Sequence, residues 1–286
     1  MEVLFCFDQR YEQHFGVAVT SLLVNNLEHL SKVHIVTKKV SNELNQKINQ
    51  LKATSRVDFS FYEVNDQDVE NLKVSAHISS AAYYRLLAPD LLPQNLDKVL
   101  YLDSDLVVNG SIAELYNYDL TNYVIAANRG DGKAVSAKKR LQLKGDYYFN
   151  SGVMLINLRI WREMQIGKQC IEYIRKYPDQ VLLWDQDALN KIIDGQFFHL
   201  DKKWNSLVDL YAGKSTVDRE STIIHFIGSL KPWQSWCLSQ EKEIYWSYLK
   251  KSPWADSKAE IPNNLDKLLS ATKSLIHQVK SSRQSK

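Results

Sequence analysis

No apolar run in this chain approaches the roughly 18 residues that a membrane-spanning helix needs. Its start, Met1-Glu2-Val3-Leu4-Phe5-Cys6-Phe7-Asp8, has neither a basic leader nor a long apolar segment. Neither a spanning anchor nor secretion by the signal-peptide route is expected. Cysteine is scarce: Cys6, Cys170 and Cys237 lie far apart and form no C-x-x-C pair. That argues against a zinc site and against a disulfide framework, and a reduced, cytoplasmic compartment fits best. Charge of one sign is also lacking. A net charge of +3 and a pI near 8.5 are too weak to argue for nucleic acid without a clustered patch, so no nucleic-acid partner is expected. No Ser-His-Asp spacing, P-loop or G-x-G-x-x-G occurs, which removes the commonest signatures of a nucleotide-binding α/β chain.

What is present is a regular alternation. The 286 residues, 44% hydrophobic and 24% charged, suit a soluble globular chain with a sizeable core. Residues 3–7 are a short apolar run closed by Asp8, the look of a strand buried on both faces. A helical pattern over 15–30, a strand over 33–37, a helix capped by Ser41 and running to about residue 52, and a strand over 57–64 follow. A helix over 77–93, a strand over 98–102, a short helix near 112–116 and a strand over 123–127 continue the series. Residues 133–144 are polar and basic and read as a lid or a solvated helix. A helix over 161–177 and another opening near Asp185 lead to a strand ending at His225. The expected class is α/β, with a mixed, mostly parallel Rossmann-like sheet flanked by helices.

Three stretches carry chemistry. In Val99-Leu100-Tyr101-Leu102-Asp103-Ser104-Asp105, a buried strand ends in two carboxylates at i and i+2, which an extended chain turns to one side and which suit a hard cation. A solvated turn would look the same, so other residues must decide. Tyr148-Phe149-Asn150-Ser151-Gly152-Val153-Met154 leads a polar step into a strand. There Gly152 would let a ligand approach the backbone and Asn150 would offer donor and acceptor to a sugar hydroxyl; a β-turn is the plain alternative. In Ile223-Ile224-His225-Phe226-Ile227-Gly228-Ser229-Leu230-Lys231-Pro232-Trp233, a histidine ends a strand and a glycine-bearing loop brings a lysine. His225 with Asp103 and Asp105 makes an O/O/N set suited to Mn²⁺, and Lys231 would neutralise phosphate. Arg85 is a natural anion partner, or an ordinary surface arginine. Asp185 and Asp187 at a helix start favour its dipole without any function.

Taken together, these stretches resemble glycosyltransferase family 8, the retaining enzymes of the GT-A fold, and especially its bacterial lipopolysaccharide galactosyltransferase and general stress protein A branches. The carriers run in order from Leu4-Phe5-Cys6-Phe7-Asp8 through His77-Ile78-Ser79, Tyr84-Arg85, the Asp103 stretch and the Asn150 stretch. They continue through Asp185-Gln186-Asp187-Ala188-Leu189-Asn190 to His225-Phe226, Gly228 and Lys231-Pro232-Trp233. The resemblance covers about residues 1–233. It implies that Asp103, Asp105 and His225 hold Mn²⁺ (or Mg²⁺), with Ser104 between the two acids in the same donor-binding turn. Gly228 and Lys231 would assist at the diphosphate of a UDP-sugar, UDP-galactose or UDP-glucose. Asp8 would contact the uracil or ribose, and Arg85, Asn150, Asp185 and Gln186 would line the donor sugar, with Gln186 nearest the β-face of the reacting carbon. An amide there is a poor nucleophile, so Gln186, with Asp185 beside it as the other catalytic residue, implies front-face substitution rather than the carboxylate nucleophile of retaining glycosidases. Two departures stand out: Gln9 and Arg10 follow Asp8 where the branch has an acid and asparagine, and Asp131 is offset from the acid common near the donor sugar.

Two other functions remain open at this point. A UDP-sugar-binding module without turnover would keep the same residues. A haloacid dehalogenase-type phosphatase shares the D-x-D-x-V pattern of 103–107, but several elements precede it and Gly145-Asp146 lacks the second acid of that class. The catalytic domain is expected over 1–250, with a basic, amphipathic helical extension over 251–286. Within it Leu265, Leu268, Leu269, Thr272, Leu275, Ile276 and Val279 share a face, among Lys267, Lys273 and Lys280. That face suits peripheral binding to the inner face of the cell membrane, or packing on the protein or a second subunit. The acceptor, a glycan, glycolipid or glycoprotein, is carried by no motif.

Overall fold

A computed structural model of the chain describes residues 1–65, 67, 69, 72, 81–130, 134–212 and 217–284. The expectations placed on His77-Ile78-Ser79, Asp131 and Lys133 lie outside the described residues. A seven-stranded sheet forms the centre, in the order β3-β2-β1-β4-β7-β6-β8. Its members are β1 (Glu2–Cys6), β2 (Lys32–Thr37), β3 (Asp58–Glu63), β4 (Lys98–Leu102), β6 (Ile125–Arg129), β7 (Phe149–Asn157) and β8 (Phe197–Leu200). β7 alone runs against its neighbours β4 and β6; the other pairs are parallel. A second sheet joins β5 (Leu106–Val108), β10 (Ile223–Ile227) and β9 (Ser206–Asp209).

Alternation along β1 shows why the first strand is apolar throughout. Val3, Phe5 and Phe7 enter one hydrophobic layer, with Phe15 and Val19; Leu4 and Cys6 enter the other, with Tyr83 and Tyr101. Both faces are therefore covered, as a parallel sheet requires. Helices supply the cover: α1 (Glu12–Asn26), α2 (Asn42–Ser55) with Ser41 Oγ accepting from Leu44 N–H at its start, α3 (Ala81–Leu91), the short α4 (Ala113–Tyr116) and α5 (Ala134–Leu141). The helix expected over 161–177 is two, α6 (Leu158–Glu163) and α7 (Ile166–Lys176). Gln165 between them has φ 53°, so the axis breaks there despite a continuous apolar pattern. α8 (Trp184–Ile193), α9 (Lys242–Leu249) and α10 (Leu265–Gln284) complete the described helices, and none is long and apolar enough to cross a membrane.

After β10 the chain stays tied to the body. Trp254 is buried against Phe15, and Glu260 exchanges backbone hydrogen bonds with Trp233 and Ser235. α10 rests on small and polar residues: Ala271, Ser274 and Gln278 are buried, and Gln278 bonds Leu238 N and Trp236 O. Of the expected apolar face Leu275 packs against the core, while others face outward, Leu265 at 70%, Leu268 at 53% and Ile276 at 51% exposure.

One buried titratable group links α1 to the C-terminal half. His14 stacks on Trp233 at 3.6 Å, and the Tyr245 hydroxyl, which itself accepts from Gln13, lies 2.8 Å from His14 Nδ1. Burial pushes its pKa down to about 3 from 6.5. The folded chain thus holds His14 neutral where the unfolded chain protonates it, and its contribution to stability is lost as pH falls below about 6.5. The stability difference between wild type and His14→Gln should shrink by about 1.4 kcal/mol per pH unit between pH 6.5 and 4. Urea unfolding of both proteins at several pH values measures this, and a constant difference would contradict it.

Candidate active site

Asp103 and Asp105 stand where the chain leaves the large sheet for the small one. β4 ends at Leu102 and β5 begins at Leu106, so the two acids occupy a crossing between sheets rather than a free strand tip. Asp103 N–H bonds Gly152 O at 2.8 Å, and Phe226 N–H bonds Asp105 O at 3.0 Å, which pins each acid to a different sheet. β10 runs antiparallel to β5 with His225 opposite Leu106, and this register delivers the imidazole. His225 Nε2 lies 3.2 Å from Asp105 Oδ1 and 3.8 Å from Asp103 Oδ2. One ligand atom from each of the three residues falls within 4.8 Å of the others.

The arrangement fits a hard divalent cation. Asn205 Oδ1 sits 3.0 Å from His225 Nδ1, so that nitrogen carries the proton and the Nε2 lone pair faces the carboxylates. Burial opposes ionisation of Asp105, but the Lys231 ammonium holds its carboxyl below the usual range. Lys231 Nζ is 2.7 Å from Asp105 Oδ2 and also bonds the Phe226 carbonyl, so the lysine expected to meet phosphate is anchored on a carboxylate. Ser104 Oγ is buried with no hydrogen-bond partner among the described residues, an open polar group inside the same turn.

Arg85 lies next door and is buried. Its guanidinium bridges Asp103 Oδ1 at 3.0 Å and Asp185 Oδ2 at 3.0 Å, and donates to Ser151 O at 3.0 Å. Burial pushes Asp185 up to about 6; Arg85 offsets this only in part, and Asp103 adds to it. Three carboxylates, Asp103, Asp105 and Asp185, therefore face two cations, Arg85 and Lys231, leaving negative charge for a bound cation to balance.

Gln186 and Asn150 meet across the cleft. Gln186 Oε1 accepts from Ser151 N–H at 3.0 Å and from Asn150 Nδ2 at 3.2 Å, while its Nε2 donates to Tyr148 OH at 3.0 Å. Tyr148 in turn donates to Asp187 Oδ1 at 2.8 Å. A backbone N–H can only donate, so Ser151 fixes which end of the Gln186 amide is carbonyl. Asp187 is fully buried and accepts Arg140, Leu182 N–H and Leu183 N–H besides Tyr148. The helix dipole is thus not its whole role: it holds Tyr148 and through it Gln186. Asn150 Oδ1 accepts from Asn205 Nδ2 at 2.9 Å and Gly152 N–H at 3.0 Å, which links Gln186 to His225 by one chain of amides.

Gly152 has a sharper task than admitting a ligand. A Cβ there would lie 2.2 Å from His225 Cε1 and 2.6 Å from Asp103 Oδ2, so glycine makes room for the triad itself. Gly228, at φ 77°, turns the chain from β10 toward Lys231. Asp8 is set apart by its neighbour: Arg10 N–H bonds Oδ1 at 3.0 Å and the Arg10 guanidinium bonds Oδ2 at 2.9 Å. Tyr11 feels the charges of Asp105, Asp103 and Asp8 together with its burial, so Asp8 belongs to the same neighbourhood. Sequence reasoning missed Asn205, Tyr148 and Tyr101, whose hydroxyl donates to Asp103 at 2.6 Å. Only Tyr101 and Tyr148 had a signal, their position beside the motifs.

A mostly parallel sheet with a carboxylate–imidazole triad at its joint with a smaller sheet is the GT-A architecture. Residues 2–237 match the model of the family described as glycosyl transferase family 8, and the chain belongs to that family of glycosyltransferases. It is 29% identical over 270 residues to general stress protein A of Bacillus subtilis, covering 89% of this chain and 94% of that one. It is 28% identical to the lipopolysaccharide 1,2-glucosyltransferase of Escherichia coli K12, covering 90% and 79%. The galactosyltransferase LgtC, solved in complex with donor and acceptor sugar analogues, superposes with TM-score 0.78 at 26% identity over 88% of this chain and 96% of that one.

Two substitutions test the geometry. Asn205→Ala should weaken Mn²⁺ binding about 10–100-fold by freeing the His225 tautomer, with the circular dichroism spectrum unchanged. Gly152→Ala should weaken it further, because His225 or Asp103 must move. Mn²⁺ titration followed by electron paramagnetic resonance reads both, and wild-type affinity in Asn205→Ala would refute the assigned role.

Proposed function

We propose that this chain is a Mn²⁺-dependent retaining hexosyltransferase that moves galactose or glucose from UDP-galactose or UDP-glucose to a carbohydrate-bearing acceptor. The observation that carries it is the assembly of Asp103, Asp105 and His225 beside an oriented Gln186 amide. Relatives named as a glucosyltransferase and a galactosyltransferase leave both hexoses in play. A Mn²⁺ ion on the triad would supply Lewis acidity toward the diphosphate leaving group. Ser104 and Lys231 stand beside that position, Gly228 shapes the loop, and Asp8 with Tyr11 offers a surface for the nucleoside. Arg85 and Asp185 then line the sugar pocket with Asn150.

The chemistry follows from what the residues can do. Gln186 is neutral and its carbonyl oxygen is held by Asn150 Nδ2 and by the N–H and hydroxyl of Ser151, so it acts as a fixed dipole, not a nucleophile. In the proposed step the sugar C1–O bond breaks, UDP departs with both electrons, and the acceptor oxygen bonds C1 on the same face. The acceptor proton passes to the departing phosphate oxygen. Family membership sets aside the phosphatase reading. A binding module without turnover would hold donor and release no UDP, which the assay below detects.

Residues 1–250 form the catalytic unit in this reading, and 251–286 its extension toward a membrane. Its support is the outward face of α10, where Leu265, Leu268, Leu269, Ile276 and Val279 are exposed among lysines. Such a helix would seat the protein peripherally on the inner face of the cell membrane.

Asp105→Ala should lower Mn²⁺-dependent release of UDP from UDP-galactose or UDP-glucose at least 100-fold with the fold intact; retained activity would sink the metal assignment. Trapping a glycosyl-enzyme on wild-type Gln186 would exclude the front-face step. Full-length protein should co-sediment with anionic liposomes more than a chain ending at Ser252, and equal recovery would end the membrane reading.

A further inference from the structure

A groove of about 730 Å³ runs along the outer edge of the large sheet, beyond the residues given to the donor. Tyr118, Phe198, Arg129, His199, Lys202 and Asn205 are among those that line it. Its volume is within the range of small-ligand sites, roughly 300–1,000 Å³. The groove opens on the catalytic side, because β6 and β8 run parallel and β7 reverses between β6 and β4. The carboxyl ends of β4, β6 and β8 therefore share one edge. Asn205 joins the two regions: it lines the groove, while its side chain bonds both His225 and Asn150.

The lining has the chemistry of a sugar platform. Tyr118 and Phe198 are half-buried rings with centroids 5.1 Å apart, an apolar surface for the C–H face of a pyranose. Polar groups rim it. Arg129 stacks over the Tyr147 ring at 3.4 Å and its Nε lies 3.4 Å from His199 Nδ1. Burial and the Arg129 charge push the His199 pKa down, which leaves its imidazole a neutral hydrogen-bonding group. Asp201 lines the groove too, and its Oδ1 is occupied by Lys203 N–H. Neither Arg129 nor Lys202 has a carboxylate partner among the described residues, so two cations face one acid.

We propose that this groove seats the non-reacting part of the acceptor, and that the acceptor is an oligosaccharide carrying phosphate or carboxylate close to the sugar that is extended. The aromatic pair supports a ring, and Arg129 and Lys202 meet the anion, Arg129 with a planar fork already held in place by Tyr147. The proposal rests on the transferase reading only for what happens to the bound glycan.

Binding tests it without knowledge of the acceptor. Labelled full-length protein, with UDP and Mn²⁺, is applied to an array of neutral, phosphorylated and uronic-acid-bearing oligosaccharides. Retention on anionic glycans should exceed that on their neutral counterparts at least ten-fold, with the phosphorylated and uronic-acid sets telling which anion is preferred. The exposed double substitution Arg129→Gln/Lys202→Gln should erase the preference, and Phe198→Ala should lower retention of the anionic set as well. Equal retention of neutral and anionic glycans, a double variant that binds like wild type, or no retention at all would each overturn the proposal. UDP release without acceptor, measured in parallel, separates the readings. Release by wild type and the double variant with no glycan preference leaves the transferase standing and the groove refuted. Preference without release does the reverse.

Discussion

Everything in the site depends on an excess of negative charge, part of it buried, at one joint between two sheets. Carboxylates taken out of water must be paired, protonated or given a cation, because their desolvation costs several kcal/mol each. Arg85 serves two of them at once and Lys231 serves the third, yet the balance is still short of positive charge. Asp185 responds by holding its proton up to about pH 6. Asp105, braced by Lys231, does not. One acid is thus kept ready for a cation while another absorbs part of the strain, and the difference is one of neighbours, not of residue type.

Hydrogen bonds extend that order outward. The amide chain from His225 through Asn205 and Asn150 to Gln186 means that the proposed metal ligand and the group proposed to face the sugar are positioned together. Asp187 closes the far end by gripping Tyr148, Arg140 and two backbone N–H groups from a fully buried position. Since Arg140 belongs to α5, the basic segment read first as a lid or a solvated helix is tied to this polar core. The site is therefore held by hydrogen bonds around the Gln186 amide and open along the β6–β8 edge.

The tail divides its contacts in a way that hydropathy does not anticipate. A helix usually buries its leucines and shows its serines, whereas α10 buries Ala271, Ser274 and Gln278 and shows Leu265, Leu268 and Leu269. The reason is that Gln278 satisfies backbone groups of Trp236 and Leu238, and His277 stacks on Tyr211, which fixes the helix by polar and aromatic contacts. Leu265, Leu268, Leu269, Ile276 and Val279 stay exposed.

The sequence by itself determined the class of fold and singled out Asp103, Asp105 and His225, which the structure brings together. Apolar runs of strand length alternating with amphipathic helices leave a parallel sheet as the way to bury them, and two acids plus one histidine at strand ends have a recognisable donor chemistry. Family resemblance extended that to Arg85, Asn150, Asp185 and Gln186. Only the tertiary structure decided that Asp103 and Asp105 span two sheets, that Gly152 makes room for His225, and that Asn205 sets the histidine tautomer. It alone revealed that Asp187 aims Gln186 and that Arg10 claims Asp8. Strand and helix patterns are local, periodic consequences of burial and can be read along the chain. The partners of a buried polar group come from anywhere in the sequence, 126 residues away for Lys231 and Asp105 and 231 for His14 and Tyr245. Folding chooses them by the need to satisfy charge and hydrogen bonds once water is gone.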